Sequence, residues 1–153
     1  MIGDDKRPTV DGHRGARVRL GLKYCADLNH YGLARELVAV VAPFERCLLW
    51  ISQTGVWSSR ENLHLYYCLR RANGDTRLLE DGPGHLFLKH ETAELVSFLF
   101  LGLASGWDMF LAANEDYGRA FVSHDGWVIV TSVNRSVTDG LTEAFEADRS
   151  APN

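Results

Sequence analysis

Residues Trp107–Val133 read WDMFLAANEDYGRAFVSHDGWVIVTSV. Three runs, Trp107–Ala113, Arg119–Ser123 and Trp127–Val133, are separated by turn signals at Asn114-Glu115-Asp116-Tyr117-Gly118 and His124-Asp125-Gly126. The Asp-Gly pair tolerates the positive φ values that tight hairpins demand. Consecutive strands joined by short turns pair antiparallel, so the stretch predicts a C-terminal β-meander. Period-two alternation turns Met109 and Leu111 inward and Asp108 to the face of Phe110, opposite Trp107. A covered Asp108 needs a partner, and Arg119 across the hairpin is the one expected.

Outward from the meander, helical patterns alternate with β segments. Glu91–Ala104, stopped by Gly106, is the expected central helix. Its apolar run Leu95–Ala104 is about half of the ~20 residues a membrane span needs, and Ser97 and Gly102 interrupt it. It predicts a buried core helix. Gly82-Pro83-Gly84 is a turn. Residues 59–79 allow two assignments. Ser58-Ser59-Arg60-Glu61 matches a capping box, Leu65, Cys68, Leu69 and Ala72 line one helical face, and Gly74 suits a left-handed C-cap. Leu63, Leu65, Tyr67 and Leu69 also alternate ahead of Asn73-Gly74, as a hairpin would. The agreement of start and stop signals favours the helix.

Cys47–Ile51 (CLLWI) carries the signature of a central strand buried on both faces. Tyr31–Val41 repeats Leu33, Leu37, Val38 and Val41 at helical spacing, with Asn29 as N-cap and Pro43 ending it. Arg17–Cys25 alternates as a strand would, although Gly21 interrupts it and a helix is the alternative. Residues 1–16 predict a flexible arm, Asp139–Asp148 a short acidic helix with Leu141, Ala144 and Phe145 on one face, and 149–153 a disordered tail. The expectation is one globular α+β domain over 17–148: a mostly antiparallel sheet packed against a buried central helix and two or three further helices.

A chain of 153 residues suits one domain and buries enough surface to fold without metal or disulfide. The net charge of −4 divides into a basic head, with six Lys/Arg against three acids in residues 1–23, and an acidic end, with four acids against Arg149 in 137–153. Arg14, Arg17, Arg19 and Lys23 form at most a small anion patch. A mildly acidic chain without a basic stripe is a poor match for nucleic-acid phosphates, so no nucleic-acid partner is expected. Cys25, Cys47 and Cys68 form no CxxC pair, which removes zinc-ribbon and thioredoxin-type chemistry and predicts three core thiols. With no apolar leader in MIGDDKRPTVDGH, this points to a reducing cytoplasm and no membrane partner.

Few residues are arranged for catalysis. His90-Glu91-Thr92-Ala93-Glu94 departs from the zincin pattern, which places His at both i and i+4. A metal reading would take His85, His90 and Glu94 as ligands and Glu91 as base. The simpler one makes Glu91 a first-turn acid on a helix dipole. Ser123-His124-Asp125 holds the residue types of a hydrolase triad, but contiguous residues cannot converge on one imidazole; His124 alone could line a site at the hairpin tip. Glu80 and Asp81 form an acidic turn. There is no GxGxxG, GxxxxGK[ST] or GxSxG motif, and no cofactor is expected. Trp57, Tyr66, Tyr67, Tyr117 and Trp127, accompanied by Arg60, Arg70 and Arg71, instead supply the residue types of interface hot spots. The expected function is therefore binding of a protein partner or a second copy, as a non-catalytic accessory, immunity-like or regulatory protein of a bacterial-type cytoplasm. The alternative is a metal-assisted hydrolase using the His/Glu cluster, and a third option is a small-ligand sensor with its pocket between the central helix and the sheet.

Overall fold

The computed structural model describes residues 16–21, 29–53, 63–79, 81–113 and 117–150, with 16, 53 and 144–150 described by backbone alone. Local signals set most of the elements. Strand β1 spans Ala16–Gly21. The Asn29 side chain accepts from the Gly32 amide at 2.8 Å and starts helix α1, His30–Val41. Strand β2 follows at Arg46–Gln53, then helix α2 at Leu63–Ala72, so the helix is the form that residues 63–72 adopt. Its end is a Schellman motif: the Asp75 amide donates to the Arg70 carbonyl and the Gly74 amide to that of Arg71, with Gly74 at φ +81°. Strand β3, Gly84–Leu88, leads through a single 3₁₀ turn into helix α3, Thr92–Ala104. The meander is β4 (Asp108–Ala113), β5 (Gly118–Ser123) and β6 (Trp127–Ser132), turned at Gly126 with φ +79°. Helix α4, Arg135–Ser150, starts four residues earlier and ends two later than the acidic pattern predicts.

All six described strands form one antiparallel sheet in the order β1-β6-β5-β4-β2-β3. The architecture is α+β. Pairing register brings Val18, Val130, Ala120, Leu111, Leu49 and His85 side by side across the sheet. This inner row faces the helices. Buried Leu37, Val41, Leu95, Leu99 and Leu141 pack over it. Two glycines let the layers meet: a Cβ at Gly118 would overlap the Val40 carbonyl of α1, and one at Gly102 would overlap the Met109 side chain. No described helix is long and apolar enough to cross a membrane.

The fold corrects several sequence expectations. CLLWI is not buried on both faces: Cys47, Leu49 and Ile51 are buried, whereas Leu48 and Trp50 are half-exposed on a face that no described helix covers. Trp107 precedes β4 rather than belonging to it. On α2 the buried residues are Tyr66 and Arg70, while Leu65, Cys68 and Ala72 are exposed, because the helix leans on α3 through the Tyr66 ring. Cys68 is thus a surface thiol and Cys47 a core one. The Ser58–Glu61 capping signal, Lys23, Cys25, Trp57, Arg60 and Glu80 lie outside the described residues.

Candidate functional site

The most unusual chemistry lies where α2, α3 and β3 meet. Tyr66 and Arg70 are one turn apart on α2 and share its inward face. Both are fully buried, and the Arg70 guanidinium stands 5.8 Å from the Tyr66 ring centroid. The Tyr66 ring sits edge-on to Phe98 of α3 at 5.3 Å and to Trp107 at 5.5 Å. His85 joins from the sheet, packed on Phe87 at 4.4 Å and Phe98 at 4.8 Å.

The Schellman turn places Asp75 against this cluster. Its Oδ2 accepts from Arg70 Nη2 at 2.7 Å and from Arg77 Nη2 at 2.9 Å, while Oδ1 accepts from the Arg77 backbone amide and Nε, each at 3.0 Å. One carboxylate therefore serves two guanidiniums, one buried and one exposed. The segment beyond it closes over the cluster. The Leu79 amide donates to the Tyr67 hydroxyl at 3.1 Å, the Ile51 amide donates to the Pro83 carbonyl, and Gly82 lies so close that a Cβ would come within 3.2 Å of Arg70 Nη2.

This enclosure leaves polar atoms without partners. Arg70 Nε and Nη1, the Tyr66 hydroxyl, Trp107 Nε1 and His85 Nδ1 are sealed from solvent and make no hydrogen bond among the described residues. Such orphans are rare, since each costs the desolvation of a polar group with nothing in return. Electrostatics follow the burial. Hydrogen bonds from Arg77 and then Arg70 hold the Asp75 carboxyl well below the ordinary carboxylate range. Burial, reinforced by Arg70, pushes His85 down, and burial pushes the Tyr66 phenol up. Near neutral pH the cluster holds two guanidinium cations, one carboxylate and a neutral imidazole, with donors in excess of acceptors.

Asp108 is tied elsewhere. Its Oδ1 accepts from the His124 backbone amide at 2.6 Å and lies 2.8 Å from His124 Nδ1, and His124 Nε2 is 3.3 Å from Asp125 Oδ1. The expected Asp108–Arg119 pair does not form, because the register sets Arg119 opposite Ala112, at the far end of β4. The imidazole lies between two carboxylates rather than between a hydroxyl and a carboxylate, and the Ser123 hydroxyl accepts from the Asp125 amide at 3.2 Å. The trio clasps the β5–β6 turn onto β4.

The His/Glu set is dispersed. His85 faces the core, His90 and Glu94 are exposed, and the Glu91 carboxylate accepts from the Leu88 amide at 2.8 Å as a helix cap. Among the described residues no three His, Cys, Asp or Glu are placed to share a metal ion. The described members of the aromatic–arginine set are also spread out. Arg70 is turned inward, Arg71 is exposed on α2, and Trp127 lies on the outer sheet face under Arg19 at 4.6 Å. Tyr117 lies just beyond the opposite end of β5, about 20 Å from Trp127 for six residues of strand. Sequence reasoning passed over Asp75 and Arg77, counted Tyr66 among interface aromatics and set Trp107 in a strand. The available signal was Tyr66 and Arg70 at i, i+4 beside a Gly74-Asp75 helix stop. No protein family, no curated protein and no solved structure matches this chain.

Proposed function

We propose that the protein is a non-catalytic binding protein, an accessory, immunity-like or regulatory component of a bacterial-type cytoplasm, and that it engages a partner through the outer sheet face and the β3 edge. The supporting observation is the surface around β3. This strand ends the sheet, and its outward residues Leu86 and Leu88 are 54% and 40% exposed. Register sets them opposite Leu48 and Arg46 of β2. The neighbouring row continues inward from the edge through half-buried Trp50, Phe121 and Ile129 to Arg19, with Phe110 buried among them. Among the described residues no helix lies on that face.

An edge strand with outward apolar side chains is a template for strand addition, in which main-chain hydrogen bonds supply affinity and the side chains specificity. Arg17, Arg19, Arg46 and Arg119 share the outer face with Asp108 as an acid. The complementary partner is a protein presenting an extended segment of apolar and acidic residues.

A photo-crosslinking amino acid at Leu86, compared with one at Ser97 on the exposed side of α3, tests this in the native host. The expected result is one stoichiometric adduct from Leu86 alone, on an acidic, extended segment, lost in Leu88→Glu and kept in Leu88→Lys. Equal adducts from both positions, or equal loss in both variants, would overturn the proposal. Sedimentation of the purified chain separates a second copy from another protein as the occupant.

A further inference from the structure

We propose that the cluster formed by Tyr66, Arg70, His85 and Trp107 is a binding site for a small oxyanion, a carboxylate or a phosphate, and that residues 73–79 and 81–83 are its cap. The inference goes beyond the partner surface described above and stands on different residues. Arg70 is completely buried, yet two of its three nitrogens have no acceptor. The Tyr66 hydroxyl and the Trp107 indole are further unused donors in the same aromatic enclosure. The unmet donors of Arg70, Tyr66 and Trp107 outnumber the acceptors beside them, and an oxyanion supplies several at once. Arg is the side chain best suited to hold one away from water.

Asp75 already occupies part of that role. Its carboxylate is the internal counter-ion of Arg70 and also of the exposed Arg77, so it both neutralises the site and fastens the cap. The rest of the cap is tied by the Leu79 amide on Tyr67 and by Pro83 on β2. Gly82 lies against the Arg77 guanidinium and next to Arg70 Nη2. An incoming oxyanion thus competes with a side chain of the same chemistry.

The test uses the full ¹⁵N-labelled chain titrated with sodium phosphate and, separately, sodium acetate at constant ionic strength, with chloride as control. The Arg70 Nε–H and Trp107 Nε1–H signals, assigned with Arg70→Lys and Trp107→Phe, are followed. Saturating shifts with at least one oxyanion and none with chloride are expected, and which of the two saturates identifies the class. Tyr66→Phe should weaken the response at least fivefold. Asp75→Asn, which removes the competing charge, should strengthen it about tenfold. If Asp75→Asn does not fold, the comparison of parent with Tyr66→Phe carries the test. No saturation in any folded form, or a response unchanged by Tyr66→Phe, would overturn the site.

Discussion

Asp75 grips Arg70 twice: its amide donates to the Arg70 carbonyl at 2.9 Å, and its carboxylate accepts from Arg70 Nη2 at 2.7 Å. The first bond ends helix α2 and the second neutralises a buried cation. The two partners are consequently not equivalent. Asp75→Ala leaves a fully buried guanidinium without its counter-ion and is expected to cost about 3 kcal/mol. Arg70→Met removes the charge and leaves Asp75 with Arg77, at about 1 kcal/mol. Urea unfolding of both variants checks the order, and a greater loss in Arg70→Met would refute it.

Tyr66→Phe deletes a hydroxyl that is buried without a partner. Removing an unsatisfied polar group relieves its desolvation, so the variant should be as stable as the parent or up to about 1 kcal/mol more so. The ring contacts with Phe98 and Trp107 persist. A thermal melt showing clear destabilisation would mean that the hydroxyl has a partner in solution.

Acid acts first through His85. Burial lowers its folded affinity for protons below that of the unfolded chain, so the unfolded state binds more protons as pH drops beneath about 6.5. Stability is full above that pH and declines as pH falls toward the lower folded value. Asp75 adds a second decline below about pH 4, where the unfolded carboxyl protonates and the folded one resists. Stability measured between pH 7.5 and 5.5 should slope in the parent and flatten in His85→Phe. An equal slope in both would assign it to other groups.

Asp108 holds His124 through both a backbone amide and a ring nitrogen. Asp108→Ala should therefore cost about 2 kcal/mol, and His124→Ala about 1 kcal/mol, since the amide bond survives in the latter. Amide hydrogen exchange at His124 provides the local readout. It should quicken in Asp108→Ala and stay slow in His124→Ala.

The two close-approach glycines differ in what a methyl group would strike. At Gly118 it meets the Val40 backbone carbonyl, which cannot move without shifting α1, and Gly118→Ala should cost about 3 kcal/mol. At Gly102 it meets the flexible Met109 side chain, and Gly102→Ala should cost about 1 kcal/mol. Comparable losses in the two would show that the α1–β5 contact has room to give.

Much of the fold is legible in local residue patterns. Alternation in Trp107–Val133 marks the meander, Asn29 and Gly74 mark a helix start and stop, and Leu95–Ala104 marks the helix over the sheet. The candidate site is harder to read because its members are distant in the chain. Tyr66 and Arg70 sit on a helix whose apolar residues suggest a different buried face, and Trp107 and His85 look like ordinary strand residues until Tyr66 and Phe98 link them.

By itself the sequence determined the α+β class, the antiparallel meander and the helix boundaries set by caps, since periodicity and capping act over a few residues and need no partner from elsewhere. Tertiary structure alone decided which face of α2 is buried, that β2 lies between β4 and β3 with one face turned from the helices, and that His124 rather than Arg119 meets Asp108. Each of these depends on strand order and register, which are set by the burial of the whole core. A shift of one residue along a strand would carry every side chain to the other face.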